Sequence, residues 1–228
     1  MRNIPDFTCE HGAAQLILEN IDRGGKAYCL VLYAAEGQLP ELLEECARFC
    51  AMVGAEQTFA LPLPEIQGTD SLPYPVAFQV VEMTADKATL TGSDCALWPL
   101  LPENTEDYVR HYNAAMANVE GARRLKEKEI PRLLDRGGCY FVHRGDQLLG
   151  LGQVREDRIL TLAALVPGAG ERVVRALAAL ISGDVVRLSV ADTNIRAMNL
   201  YTRLGFVPTK VLESWWDITP RRSGQAGK

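Results

Sequence analysis

The stretch TNIRAMNLYTRLGFVPTK, residues 193–210, predicts a short helix with a defined start and stop. Asn194 is a residue type whose side-chain oxygen caps helix N-termini. Gly205 suits the left-handed stop, and Pro208 prevents continuation. The apolar positions recur at helical spacing and form one buried stripe: Ala197, Leu200, Tyr201 and Leu204. A tyrosine on this stripe is either a core residue whose hydroxyl has found a partner or water, or a functional residue.

The elements before this helix predict an α/β arrangement. Residues 158–166 form a nearly all-apolar run, which indicates a central strand. A helix over 171–181 and a strand over 185–191 follow, and a final strand is expected over 209–218. Residues 139–154 read as a hairpin. On its second strand Gly150 and Gly152 share one face, which indicates either the close approach of another backbone or a ligand, or else a bulge or a crowded packing layer.

The first half of the chain repeats this outline in a shorter form. Strands are expected over residues 15–21, 26–35, 58–61 and 76–83, with a helix over 39–55 and a proline-rich loop over 62–75. Two more helices are expected in the second half, one starting at Asn104 or Thr105 and one over 123–138. We therefore expect two domains, a truncated unit over 1–84 and a larger one over 85–228.

Composition and charge exclude several classes of partner. The chain has 228 residues, 47% hydrophobic and 23% charged, with a net charge of −5. An acidic chain is not expected to bind nucleic acid or an anionic membrane surface. Apolar runs are shorter than the roughly 18 residues that a membrane span needs. The N-terminus lacks the apolar core of a signal peptide, so a cytoplasmic location is expected.

The six cysteines do not predict a metal site. They form no C-x-x-C pair, and the chain has three histidines. Zinc takes four ligands in tetrahedral geometry, which this pattern does not offer. Small buried thiols in a reducing compartment are the simpler interpretation. No metal is expected.

The helix signature resembles that of the GNAT acetyltransferase superfamily. The matching pattern is Asn194-x-x-Ala197-x-x-Leu200-Tyr201-x-x-Leu204-Gly205-Phe206, and the order of elements over about 97–218 is similar to that fold. The resemblance implies a mixed twisted sheet flanked by helices, with a smaller related N-terminal unit. The first half resembles a truncated copy of the same fold, as in a tandem form.

The resemblance also implies acetyl-coenzyme A as cosubstrate. Its arm would lie in a splay between the strands at 158–166 and 185–191, and its phosphates at the following helix start. The implied contacts are Leu165, Val166, Gly170, Glu171, Arg172, Val173 and Asn194. The family's phosphate loop carries an Arg or Gln and two small residues where this chain has Ala169, Arg172 and Val174. Glu171 adds a negative charge beside the expected phosphates.

Tyr201 occupies the position that the family uses as a general acid toward the leaving thiolate. Tyrosine with a reference pKa of about 10 is protonated at neutral pH. A general base is not identified, and Glu213 beside two tryptophans is more simply a surface residue. The implied function is transfer of an acetyl group to a primary amine of a small molecule or peptide. The altered loop keeps open a non-catalytic binding or dimerisation protein, and a homodimer is a possible state.

Overall fold

A computed structural model describes residues 6–117, 119 and 122–220 of the chain. It separates into two compact units, residues 1–79 with 213–228 and residues 80–212. Two strands, β5 (Val76–Asp86) and β11 (Val207–Asp217), have one part in each unit. Among the residues described, none of the helices is both long and apolar enough to span a bilayer.

The first unit contains a mixed sheet with one covering helix. Its strands are β1 (Asp6–Cys9), β2 (Gly12–Ile17), β3 (Lys26–Ala34) and β4 (Gln57–Pro62), with the one-turn helix α1 (Ile21–Gly24) before β3. The strands β1, β2 and β3 are antiparallel neighbours. The helix α2 (Leu39–Met52) connects β3 to β4, which run parallel, and the end of β11 pairs with β4.

The core of the first unit lies between α2 and its sheet. Leu42, Leu43 and Cys46 on α2 are fully buried, as are Cys29 and Val31 on β3. Burying such side chains contributes roughly 1.5–3 kcal/mol each for the larger ones. A hydrogen bond with Cys46, together with burial, raises the pKa of the Cys29 thiol well above its ordinary value. The Cys29 thiol therefore packs as a small neutral side chain.

The second unit contains a larger mixed sheet with helices packed against it. In chain order its elements are the end of β5, β6 (Ala96–Pro99), α3 (Thr105–Ala115), α4 (Ile130–Arg136), β7 (Cys139–Arg144), β8 (Gln147–Arg155), β9 (Arg158–Ala164), α5 (Gly170–Ala179), β10 (Val185–Ala191), α6 (Ile195–Arg203) and the start of β11. The strands from β6 to β9 are antiparallel neighbours in sequence, β9 and β10 are parallel, and β10 is antiparallel to β5.

Helix α5 lies close to β8 because two glycines make room for it. A Cβ on Gly150 would lie 2.6 Å from Val173, and one on Gly152 would lie 2.3 Å from Leu177. Both partners on α5 are fully buried. The backbone of β9 is close as well, with the Ala163 carbonyl oxygen 2.4 Å from a Cβ at the Gly150 position and the Thr161 carbonyl oxygen 2.7 Å from one at the Gly152 position, so both a close backbone and a crowded packing layer are present at this pair.

Some elements differ from the sequence expectations. The helix expected over 123–138 is wrong in extent, since the α-helix covers Ile130–Arg136 after a 3-10 turn at Glu127–Glu129. Pro131 explains this start, because proline suits a first helical turn and not a helix interior. The strands β1 and β6 were missed, and Ile21 belongs to α1 instead of the preceding strand.

The sequence predicts a domain boundary between residues 84 and 85 and assigns the C-terminal end of the chain to the second domain. The compact units differ at that end. Residues from Glu213 pack with the first unit, where Trp216 pairs with Ala60 and Asp217 with Phe59. Trp215 also stacks on Phe78 there, at 5.6 Å between ring centroids. The assignment of 1–84 and 85–228 as two domains stays a prediction.

Candidate active site

Strands β9 and β10 separate shortly after they begin. Their parallel pairing joins Arg158 to Arg187 and Ile159 to Leu188, and within the described residues it ends there. On the opposite edge of β9, the register with β8 shifts after Ile159 and leaves Leu160 as a β-bulge. A bulge bends the strand that carries it. The two strands therefore part at the residue where β9 bends, and their facing edges are open beyond it.

A cavity of about 610 Å³ lies along the bent part of β9. Residues 162–168 form one wall of the cavity, and the start of α5 continues that wall. Helix α6 supplies the opposite side, including Asn194 and Tyr201. Ala115, Met116 and Val119, at the end of α3 and just after it, close a third side with apolar groups. A volume of this size is in the usual range for a small-molecule or cofactor site.

Tyr201 brings a hydroxyl-bearing ring into this cavity. The side chain of Asn194 accepts a hydrogen bond from the Ala197 amide at 3.2 Å and so fixes the start of α6. Two turns later Tyr201 is 7% exposed, with its ring 5.8 Å from that of Phe206. Burial raises the pKa of the Tyr201 hydroxyl to about 12. The hydroxyl is thus protonated at neutral pH, and it is a weaker acid than a free tyrosine.

Comparison with solved structures gives three informative similarities. A GCN5-related N-acetyltransferase from Anabaena variabilis is 13% identical over 95% of this chain and 58% of its own, with a TM-score of 0.59. One from Kribbella flavida is 11% identical, the match covers 95% of this chain and 90% of the Kribbella chain, and the TM-score is 0.54. One from Sphaerobacter thermophilus is 12% identical, the match covers 92% of this chain and 78% of the Sphaerobacter chain, and the TM-score is 0.53. The chain has the GNAT fold. The family resemblance is thereby confirmed at the level of the fold.

Comparisons of the sequence itself add no relative. No protein-family model matches it, and a search of curated proteins gave no match either. At 11–13% identity the structural similarities establish the fold, and the chemistry of the chain has to be argued from its own residues.

Six of the eight residues proposed from the sequence line the one cavity. They are Leu165, Val166, Gly170, Glu171, Asn194 and Tyr201. Arg172 and Val173 do not line it. Val173 is fully buried against Gly150, and the Arg172 guanidinium lies 3.9 Å from the Asp94 carboxylate. The assignment of all eight to catalysis or coenzyme binding stays a prediction.

The backbone near the end of β9 is already partly used. The Leu165 amide donates to the Leu149 carbonyl at 2.9 Å. The Val166 carbonyl accepts from the Ala169 amide at 3.1 Å. Leu165 and Val166 are the two residues expected to contact an extended ligand arm. Among the hydrogen bonds of the described residues, their backbone groups without a partner are the Leu165 carbonyl and the Val166 amide, which are left for a ligand.

The start of α5 is more crowded than a glycine-rich phosphate loop. A Cβ on Gly170 would lie 2.7 Å from the side chain of Leu200 on α6. Glu171 accepts a hydrogen bond from Arg175 at 3.0 Å, which partly neutralises its carboxylate. Arg175 also donates to the carbonyls of Thr89 and Thr91. The Glu171 carboxylate and the Arg175 guanidinium therefore already have partners within the protein at this helix start.

Arg196, Asn199, Arg203 and Met116 also line the cavity, and the sequence reasoning did not select them. The two arginines lie outside the apolar stripe of α6, so the pattern identifies them only as polar surface. Glu213, considered as a base, accepts a hydrogen bond from the Trp215 indole at 2.9 Å and does not line the cavity. Among the described residues, no group of three or more His, Cys, Asp or Glu side chains could hold a metal.

Proposed function

We propose that this protein is an acyl-coenzyme A-dependent N-acetyltransferase that acetylates a primary amine of a small molecule or a peptide. The observation that carries the proposal is the coincidence of three features in one place. Strands β9 and β10 separate, a cavity follows the bent part of β9, and Tyr201 lies on its wall. A helix that only completed a core would not need a tyrosine facing such a cavity.

The donor would lie along β9 in an extended form. An extended chain can add to an open strand edge through main-chain hydrogen bonds. The pantetheine arm carries amide groups that suit this mode, and the Leu165 carbonyl and Val166 amide are placed to pair with them. The thioester would then reach the part of the cavity where Tyr201 lies.

The chemical step forms one bond and breaks another. The amine nitrogen attacks the thioester carbonyl carbon, a C–N bond forms, and the C–S bond breaks. The departing thiolate is stabilised by a hydrogen bond from the Tyr201 hydroxyl, and the proton lost by the amine passes through solvent to the thiolate. A thiol has an ordinary pKa of about 8.5, well below that of Tyr201 at about 12. The Tyr201 hydroxyl therefore keeps its proton and acts as a hydrogen-bond donor to the developing charge.

The acceptor would approach from the side formed by Ala115, Met116 and Val119. These residues present apolar surface, so an acceptor with an apolar group next to its amine fits this wall best. Glu171 is the acid of the described lining, and it already pairs with Arg175. We infer that recognition of the acceptor depends on shape and apolar contact more than on an ion pair.

A second candidate is a GNAT-fold protein that binds without catalysis. The observation that favours it is the start of α5, where Leu200 crowds Gly170 and Glu171 places a carboxylate. If that helix start excludes phosphates and no other group receives them, the cavity would not take the coenzyme.

The test has two stages. Acetyl-coenzyme A at 100 times its dissociation constant should raise the free energy of unfolding by about 2.7 kcal/mol, measured as a shift of the melting curve. A panel of amines is then screened for thiol release from acetyl-coenzyme A, with the amide product confirmed by mass spectrometry. Binding with amine-dependent thiol release supports the enzyme. Binding without turnover across the panel supports the non-catalytic candidate, and absence of a shift contradicts the proposed function.

A further inference from the structure

One face of α6 carries a row of polar side chains along the cavity. Arg196, Asn199 and Arg203 follow at i, i+3 and i+7, which places them on one side of the helix. All three line the cavity and are solvent-exposed. At 1.5 Å per residue the row extends about 10 Å along the helix axis. The cavity therefore has a cationic edge with an amide in its middle.

The arginines of this row differ from those of α5 in their partners. Arg172 lies near Asp94 and outside the cavity lining. Arg175 is engaged by Glu171 and by two backbone carbonyls. Arg196 and Arg203, by contrast, form no ion pair or hydrogen bond with another residue in the part of the chain that the structure describes. Their donors are available to a ligand in the cavity.

The negative charge of the cavity lies at its α5 end. Glu171 is the carboxylate among the described lining residues, and Arg196 and Arg203 are the cations. An anionic group would be repelled near Glu171 and attracted along α6. Guanidinium groups suit phosphate oxygens in particular, because their planar donors can form paired hydrogen bonds.

We propose that α6, through Arg196 and Arg203 with Asn199 between them, holds the phosphate groups of the acyl donor. This inference rests on the proposed function and moves its anion site from the start of α5 to the exposed face of α6. It also specifies the donor as a thioester whose arm ends in phosphate groups. The crowded start of α5 then serves packing against Leu200.

The experiment compares three donors that differ in their phosphates. They are acetyl-coenzyme A, acetyl-dephospho-coenzyme A, which lacks the 3′-phosphate, and S-acetylpantetheine, which lacks all phosphates. Dissociation constants are measured by calorimetry, and by ligand-detected NMR for the weakest binder. Arg196→Ala and Arg203→Ala should each weaken acetyl-coenzyme A about 10- to 100-fold, the usual loss for a charge-assisted hydrogen bond. Binding of S-acetylpantetheine should stay within about twofold of wild type.

The dephosphorylated donor identifies which phosphate each arginine receives. An arginine that holds the 3′-phosphate loses its effect when that phosphate is absent, and one that holds the pyrophosphate keeps it. Arg203→Lys should retain part of the affinity, since it keeps the charge and loses the paired donors. The matched control is Arg132→Ala, an exposed arginine on α4 outside the cavity lining, which should bind all three donors as wild type does.

The rival variant is Arg172→Ala. If it weakens acetyl-coenzyme A while the double variant Arg196→Ala/Arg203→Ala does not, the start of α5 holds the phosphates and the inference is wrong. If the double variant weakens acetyl-coenzyme A and S-acetylpantetheine equally, the arginines do not act on phosphate, and the inference fails while the proposed function stands. If the wild-type protein binds none of the three donors, the proposed function itself fails.

Discussion

Each of the two compact units contains two parallel strands joined by a helix, and the two strand–helix–strand connections differ in how far the strands stay paired. In the first, β3 and β4 remain paired from Lys26 and Gln57 to Val31 and Pro62. In the second, β9 and β10 pair at Arg158–Arg187 and Ile159–Leu188 and then part. The closed ladder satisfies its own backbone groups, and the open one leaves groups for a ligand. Both β3 and β9 carry a β-bulge just past their last parallel pair, at Leu32 and Leu160, so the difference lies in the length of the ladder, six residue pairs in the first unit and two in the second.

The helices of these two connections, α2 and α5, also differ in the residues against which they pack. In the first unit α2 packs mainly on strand positions that carry side chains, such as Cys29 and Val31 on β3, and one glycine, Gly12 of β2, lies close to Leu42. In the second, α5 lies against Gly150 and Gly152 of β8. The second unit also has α6, which follows β10 and brings Tyr201 to the cavity. In the first unit a loop follows β4, with a 3-10 turn at Thr69–Ser71.

The largest expected effect tests whether chemistry belongs to the second unit. Tyr201→Phe should lower kcat by about 10²- to 10³-fold, because the leaving thiolate loses its hydrogen-bond donor. Affinity for acetyl-coenzyme A and the melting temperature should change little. Since burial places the Tyr201 pKa at about 12, the wild-type rate should show no alkaline decline from this group below about pH 11. Steady-state kinetics with the best amine of the panel provides the measurement.

The matched control for this variant is Tyr74→Phe, which removes a tyrosine hydroxyl from the first unit. Turnover should then stay within about twofold of wild type, as expected of a change away from the reacting groups. Equal rates for wild type and Tyr201→Phe would show that the hydroxyl has no role in the chemistry.

The sequence predicted the elements better than it predicted the opening between them. Apolar spacing and capping chemistry located α2, α5 and α6 to within a few residues, because these helices each bury one stripe. The bulge at Leu160 has no such signal, since leucine is ordinary in a strand and the bend results from pairing with β8. The splay was expected from the family resemblance alone.

The candidate site was predictable where a residue broke a pattern. Tyr201 stands out on an apolar stripe, and Asn194 stands out as a cap. Arg196 and Arg203 do not stand out, because polar residues on an exposed helix face are the normal case. Arg172 was selected from its nearness in sequence to the phosphate loop, yet its guanidinium lies beside Asp94. Side-chain direction, which depends on the packing of neighbouring loops, decides between such arginines.

A smaller effect tests the close packing of α5. Gly152→Ala should lower the free energy of unfolding by about 1–3 kcal/mol, the usual loss from overpacking. The added Cβ would lie 2.3 Å from Leu177 and 2.7 Å from the Thr161 carbonyl oxygen, which is backbone and cannot turn away. Urea denaturation followed by circular dichroism measures the loss.

Gly183→Ala provides the control in the same unit. No heavy atom lies within 4 Å of the added Cβ there, so stability should change by less than about 0.5 kcal/mol. Equal stabilities for Gly152→Ala and Gly183→Ala would mean that α5 can move away from β8 at little cost, and the contrast with α2 would lose its basis.

The smallest expected effect concerns the closed end of the splay. Arg158 and Arg187 are directly opposite each other in the β9–β10 pairing, and Glu82 on β5 lies between their charges. Its carboxylate is 2.5 Å from Arg158 and 3.6 Å from Arg187, and Thr209 donates a further hydrogen bond to Glu82. Arg187 also pairs with Asp157 at 2.7 Å. Glu82 thus joins the two strands at the first of their two paired positions, one residue before the pairing ends.

The hydrogen bond from Arg158, with both positive charges, lowers the pKa of the Glu82 carboxyl. A group with a lowered folded-state pKa stabilises the fold above its ordinary value of about 4.3, and that stabilisation is lost as the pH falls through the folded value. Glu82→Gln should therefore be less stable than wild type at pH 7, and this difference should shrink below about pH 4. The effect is modest because the arginine side chains are 32% and 35% exposed and screened by water.

Urea denaturation of both proteins across this pH range measures the difference, with Glu65→Gln, an exposed residue outside the helices and strands, as the matched control. A difference that stays constant with pH would show that the shape of the side chain matters and its charge does not. A difference that shrinks as stated would mean that the carboxylate holds two like charges together where β9 and β10 meet. The first unit needs no such link, since its strands pair Lys26 with the neutral Gln57 at the corresponding end of a closed ladder.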